Sequence, residues 1–270
     1  MMTERMNAPT LKYMILKYMI EDAIQKAAST PVKKYEVDME NLGKYCDHTV
    51  LRAYTPIRII DIFCQEAIDY GAASVCINPG HVAHVREKLK GTGIKTCTVL
   101  GFPLGATTPE VKAFEAAQAI DNGAQEIDMV INVGALCDGN YLLVYEDIKG
   151  VVDAAAGKTK VKVIIETCYL TYEQKVAACV ISKAANADYV KTSSGFGTWG
   201  ATVEDVQLMK KVVGDDMKVK ASTGIETRED AVMMVQAGAE RLGTSRIVQI
   251  VSGDDQAFSA SKMNQPKKRD

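Results

Sequence analysis

From about Leu11 to Ala28 the apolar positions Leu11, Met14, Ile15, Tyr18 and Met19 recur at helical spacing, with lysine and glutamate between them. This spacing predicts an amphipathic helix, which either covers the bottom of the main body or joins an oligomer contact. After Pro31 the pattern changes, and short β-branched or apolar runs alternate with longer helix-patterned segments. Strands are predicted near Lys44–Val50, Ala73–Asn78, Lys95–Leu100, Glu126–Asn132, Lys162–Thr167, Tyr189–Ser194, Lys218–Thr223 and Arg241–Ser245, each followed by a helix.

The punctuation supports that rhythm. Thr107-Thr108-Pro109-Glu110 offers a cap, a first-turn proline and an acid, and Thr55-Pro56 offers the same less completely. Gly71, Gly123 and Gly238 stand where the preceding helices should stop. No G-x-G-x-x-G follows the first strand, so a doubly wound dinucleotide-binding sheet is disfavoured. The expected fold is α/β, a (β/α)₈ TIM barrel over residues 31–258. An extra N-terminal helix fills residues 1–30, and a flexible polar tail ending in Lys267-Lys268-Arg269 covers 259–270.

Composition narrows the classes of function. A length of 270 residues suits one barrel, and 47% apolar residues suffice for its core. A formal charge of −2 gives no general field for nucleic acid or an anionic membrane, so any anion must be held by local groups. Cys46, Cys64, Cys76, Cys97, Cys137, Cys168 and Cys179 are odd in number and form no C-x-x-C pair, as expected of reduced thiols in a cytosol. Lys12 and Lys17 interrupt the apolar stretch Leu11–Ile20, which is too short to span a bilayer and is followed by Glu21-Asp22, unlike a signal peptide. The expected location is the cytoplasm.

Barrel active sites lie at the C-terminal ends of the strands. Polar residues late in apolar strands are therefore the candidates: Asp47, Asn78, Asp128, Asn132, Glu166, Lys191 and Lys220. Lys191, in Tyr-Val-Lys-Thr-Ser-Ser-Gly-Phe, is costly to bury unless it pairs with a carboxylate or acts as a nucleophile. Lys220 holds the equivalent place in the next strand. Two inward ammonium groups disfavour each other's protonation, and a free amine can attack a carbonyl. Asp128 points inward among them, as counter-ion or proton carrier. Asp47 either tunes the lysine pair or caps a loop. Lys162 and Lys218, early in their strands, are read as structural. His48, His81 and His84 form no metal-ligand set, so no metal or other cofactor is expected.

The ordered motifs resemble the deoxyribose-phosphate aldolases over about Tyr45 to Ile250. They are Asp47-His48-Thr49; Ser74-Val75-Cys76-Ile77-Asn78-Pro79; Leu100-Gly101-Phe102-Pro103-Leu104-Gly105; Glu126-Ile127-Asp128 through Leu136; Ile164-Ile165-Glu166-Thr167; Val190-Lys191-Thr192-Ser193-Ser194-Gly195-Phe196; and Lys220-Ala221-Ser222. The resemblance implies a class I aldolase that reversibly cleaves 2-deoxy-D-ribose 5-phosphate to acetaldehyde and D-glyceraldehyde 3-phosphate. Lys191 is then the Schiff-base lysine, Lys220 lowers its pKa, and Asp128 works with Lys220 through water. It also implies small aldehyde and sugar-phosphate partners, often a homodimer, and phosphate-binding groups at Thr192, Gly195, Gly224, Gly243 and Ser245. For Cys76 two roles stay open, a point of inactivation by a reactive aldehyde or an inert buried thiol.

Three positions depart from the family pattern. Thr223 and Glu226 stand where Lys-Ala-Ser-Gly-Gly-Ile is usually followed by a basic residue, and both oppose phosphate binding. Arg246 stands where a small serine is usual. Either Arg246 takes over the phosphate contact with Glu226 orienting it, or the two pair and close the pocket. The second outcome implies an unphosphorylated or different short aldose, and a barrel that binds sugar phosphate without catalysis is a third reading. Arg52-Ala53 also replaces the family's Lys-Pro.

Overall fold

A computed structural model of the protein describes residues 8–264. Eight parallel strands close into a barrel in chain order: β1 Cys46–Val50, β2 Ser74–Ile77, β3 Lys95–Leu100, β4 Glu126–Val130, β5 Lys160–Ile164, β6 Tyr189–Lys191, β7 Lys218–Ser222 and β8 Arg241–Thr244. β8 pairs with β1 through Cys46–Leu242, Asp47–Gly243 and His48–Thr244. Outside the strands stand α2 (Ile57–Asp69), α3 (Val82–Lys88), α4 (Pro109–Asp121), α5 (Val133–Cys137), α6 (Tyr141–Ala155), α7 (Tyr172–Ala184), α8 (Val203–Val213), α9 (Arg228–Ala237) and α10 (Ile247–Ser252). This is the (β/α)₈ architecture expected from the alternation of patterns.

Local chemistry fixes the helix ends. The Thr108 side chain caps α4, Pro109 takes its first position, and Gly123 with φ +103° follows its end. Thr171 and Thr227 close capping boxes on α7 and α9. At Thr55-Pro56 the cap is Pro56, which makes no side-chain cap bond.

The period of two along each strand sorts the interior. Cys46, Val75, Ile127, Met129, Val163, Val190, Val219 and Leu242 face the helices and join the main core. The alternate positions, including Asp47, Cys76, Cys97, Asp128, Lys162, Lys191 and Lys220, fill the barrel and are buried. The only apolar cluster there among the described residues is Leu51, Cys76, Cys97 and Val99 with Phe102 against it.

The N-terminal helix α1 (Ala8–Ser29) does not cover the barrel bottom; it packs on the flank, across α6, α7 and α8. Leu16, Ile20 and Ala27 are its buried stripe, Tyr13 stacks on Tyr141 with ring centroids 6.0 Å apart, and Lys12 lies over Tyr145. At the other end, residues 259–264 are packed rather than free. Ser259 and Ala260 are buried, α11 (Ala260–Met263) rests on α2, and Ala260 N donates to Glu66 Oε1 at 2.6 Å. The rest of the expected tail, with Lys267-Lys268-Arg269, lies outside the described residues, as do residues 1–7. No described helix is long and apolar enough to cross a membrane.

Candidate active site

Inside the barrel the strands bring charged side chains into one connected cage. Asp128, the middle residue of β4, accepts through Oδ2 from Lys191 Nζ on β6 and Lys220 Nζ on β7, each at 2.7 Å. Its other oxygen accepts from Lys162 Nζ on β5 at 2.9 Å. Lys220 also donates to Asp47 on β1. Asp47 Oδ1 in turn accepts from Ser74 Oγ and Arg241 Nη1, both at 2.6 Å. Lys162 lies 2.6 Å from Glu126, which Arg241 reaches at 2.9 Å. Lys191 is 2% exposed, while Asp47, Asp128, Lys162 and Lys220 are wholly buried.

Position in the strand decides each place. Lys191 is the last residue of the short strand β6, so its amine reaches the site from the C-terminal end. Arg241 and Glu126 begin β8 and β4, so they close the network from the opposite end. β5 starts at Lys160, two residues before the expected Lys162, and that shift makes Lys162 a mid-strand residue facing inward. Lys218, by contrast, is exposed as expected.

The electrostatics correct one sequence expectation. The two lysines are not in bare like-charge contact, because one Asp128 oxygen bridges them. Burial disfavours charge on Lys220, but Asp128 and Asp47 outweigh it and hold the ammonium well above the ordinary lysine range. Burial likewise raises the Asp47 and Asp128 carboxyls, and the cations outweigh it. Lys162, Lys220 and Arg241 hold Asp47 far down, and Lys162, Lys191 and Lys220 do so for Asp128. Arg241 is held up by Asp47 and Glu126 against its own burial.

A cavity of about 720 Å³ opens over the ends of β1, β6, β7 and β8. Gly195, Gly224, Gly243, Ser245 and Arg246 line it. Gly243 joins cavity and cage, since a Cβ there would fall 3.2 Å from Lys220 Cε and 2.7 Å from Ser222 Cβ. Thr192 is a correction. It is fully buried and turned away from the cavity, accepting from Ser222 N at 3.1 Å and from Ser193 Oγ at 3.0 Å, and so ties β6 to β7. Arg246 Nη2 and Glu226 Oε2 pair at 3.5 Å at the exposed rim without closing the cavity.

Other polar candidates have structural partners. Asn132 caps α5 through Ala135 N, and Asn78 donates to the Leu51 carbonyl. Glu166 accepts from Ser194 N at 3.1 Å. His48 lies 2.8 Å from Glu66 and His84 2.6 Å from Asp61, in separate places. Cys76, Cys97 and Asp128 bring possible ligand atoms within 4.8 Å of one another. Lys162, Lys191 and Lys220 already sit on that carboxylate, so a metal cation would have to displace a charge. Sequence reasoning missed Glu126, Arg241 and the inward turn of Lys162. It also missed Arg52 and Lys262 as cavity cations.

Residues 44–248 match the family model described as DeoC/LacD family aldolase. The chain belongs to the deoxyribose-phosphate aldolase family. It is 59% identical over 213 residues to a deoxyribose-phosphate aldolase of Geobacillus sp., covering 79% of this chain and 96% of that relative. A Macrococcus caseolyticus deoxyribose-phosphate aldolase is 57% identical over 215 residues, covering 80% and 97%. Among solved structures, one assigned to deoxyribose-phosphate aldolase from Coccidioides immitis superposes with a TM-score of 0.84 at 39% identity, covering 92% of this chain and 98% of that one. A tetrameric deoxyribose phosphate aldolase from Aeropyrum pernix gives 0.75 at 29% identity, covering 89% and 98%. Like its family, the chain is an aldolase, a carbon–carbon lyase.

Proposed function

We propose that this aldolase reversibly cleaves 2-deoxy-D-ribose 5-phosphate to acetaldehyde and D-glyceraldehyde 3-phosphate through an imine on Lys191. The observation that carries the reading is the single Asp128 oxygen lying 2.7 Å from both Lys191 Nζ and Lys220 Nζ. Among the described cage residues the cations are Lys162, Lys191, Lys220 and Arg241, and the carboxylates are Asp47, Glu126 and Asp128. Lys220, Lys162 and Arg241 each touch two or more carboxylates, whereas Lys191 touches only Asp128 and stands nearest the mouth. Lys191 is therefore the amine.

The amine adds to the C1 aldehyde of the open sugar, and water leaves as the iminium forms. The C3 hydroxyl then gives up its proton, and the C2–C3 electron pair moves into an enamine that neutralises the iminium nitrogen. D-glyceraldehyde 3-phosphate leaves. Protonation of the enamine carbon restores an iminium, and water releases acetaldehyde and the free lysine. Asp128 hands protons along from Lys220, which Asp47 keeps charged and in place.

The cavity favours a phosphorylated substrate. Its charged lining residues are Arg52, Arg246, Lys262 and Glu226, an excess of positive charge that suits a phosphate dianion. Arg246 contacts the phosphate with Glu226 orienting it, and Gly195, Gly224, Gly243 and Ser245 supply the turns around it. The seven cysteines are all free thiols, which supports action in a reducing cytoplasm. The family resemblance supports a homodimer.

Borohydride reduction in the presence of acetaldehyde tests the chemistry. The expected result is an ethyl group's mass on the Lys191 peptide, together with turnover of 2-deoxyribose 5-phosphate. An unmodified Lys191 with turnover intact would sink the imine mechanism.

A further inference from the structure

Thr223, between the last residue of β7 and Gly224, has φ +74°. A β-branched side chain is rarely held in that left-handed region, and such strain persists where the surroundings enforce it. The surroundings here do. A Cβ on Gly200 would fall 2.2 Å from the Thr223 carbonyl oxygen, which accepts from Ala201 N at 3.1 Å. A Cβ on Gly195 would fall 3.1 Å from Thr223 Oγ1, so the hydroxyl lies over the Gly195 backbone in the cavity wall. Among the described residues this hydroxyl has no hydrogen-bond partner, and Ser245, Arg246 and Lys262 line the same wall.

We infer that Thr223 is a specificity-determining residue whose hydroxyl donates to the terminal phosphate of the sugar. A phosphate dianion offers acceptor oxygens only, so an unpaired donor on a wall with excess positive charge matches it. An unphosphorylated sugar offers hydroxyl groups and no charge. Thr223 therefore favours the phosphate ester, the opposite of what its bulk alone suggests. The inference rests on the proposed cleavage of a 5-phosphate sugar, but anion binding can be measured apart from the chemistry.

Thr223→Val keeps the branched shape and removes the donor, and Thr223→Ser restores it. Calorimetric titration with inorganic phosphate should show binding weakened about tenfold in T223V and near wild type in T223S. In steady-state kinetics T223V should raise KM for 2-deoxyribose 5-phosphate by about tenfold and change kcat by less than about twofold. Its kcat/KM for 2-deoxyribose should not change. Thr223→Gly relieves the backbone and serves where T223V folds poorly; it should melt higher than wild type and show the same loss of phosphate affinity. Wild-type phosphate affinity in T223V, no phosphate binding by the wild type, or equal losses on both sugars would overturn the inference. Failure of the aldolase mechanism reads differently, as an unmodified Lys191 with the phosphate pattern intact.

Discussion

Replacing Asp128 by asparagine removes a carboxylate that three buried ammonium groups share: Lys162 at 2.9 Å, Lys191 at 2.7 Å and Lys220 at 2.7 Å. The cost is not three broken pairs. Lys162 keeps Glu126 and Lys220 keeps Asp47, so Lys191 alone loses its only partner. Stranding one buried charge costs about 3–5 kcal/mol, and in a chain of this size that lowers Tm by on the order of 10 °C.

The charge count gives a second, sharper arm. The wild-type cage has one more cation than carboxylates, D128N has two more, and Lys162→Met in D128N returns the excess to one. The double variant should therefore be more stable than the two single losses predict, by roughly 1–3 kcal/mol in a urea-denaturation cycle. Turnover should stay lost, because in the proposed mechanism Asp128 carries the proton. Losses that add within about 0.5 kcal/mol would refute the reasoning, since neighbours in one ionic network should couple.

The cage also sets a pH window. Asp47 and Asp128 are depressed in the folded state, so their stabilisation is full above about pH 4, the unfolded carboxylate value, and drains as pH falls toward their folded values. Lys162 and Lys220 are raised, so theirs is full below about pH 10, the unfolded lysine value, and drains as pH climbs toward their folded values. Thermal melts across pH should show a broad plateau, and Asp47→Asn should flatten the acid side; an unchanged acid slope counts against the network. At the other end of the chain, Glu66→Ala removes the acceptor of Ala260 N and the partner of His48. Amide exchange should speed up at Ala260 while the strand amides stay protected, and an unaltered Ala260 rate would show that Glu66 does not hold α11.

Most of the site was legible because strand periodicity is simple. A period of two with polar residues at inward places puts Asp47, Asp128, Lys191 and Lys220 in one interior. The same rule, applied one residue past Lys191, aims Thr192 outward, where it is found tying β6 to β7. The polar run Gly157-Lys158-Thr159-Lys160 reads as loop, which hid the true start of β5 and the inward turn of Lys162. Glu126 and Arg241 open their strands and read as rim residues until a closed barrel brings them to one end. The docking of residues 259–264 depends on Glu66, a partner far away in sequence, and no local pattern announces it. The flank position of α1 is of the same kind. The expected apolar stripe, Leu11, Met14, Ile15, Tyr18 and Met19, stays exposed, and Leu16, Ile20 and Ala27 are buried instead.

These placements divide the labour of the fold between two shells. Barrel interiors are commonly filled with layers of bulky branched residues, whereas here the inward positions are largely charged and the apolar inner cluster is small. Buried ion pairs are weak sources of stability, because desolvation offsets most of the attraction. The stabilisation must come from the other face of the same strands, where Ile127, Val163, Val190, Val219 and Leu242 pack against the helices. Strand alternation thus lets one set of residues hold the barrel closed while the set between them holds charges that would be untenable one at a time. A carboxylate shared by Lys191 and Lys220 is stable only because that outer shell fixes the strands on which both lysines stand.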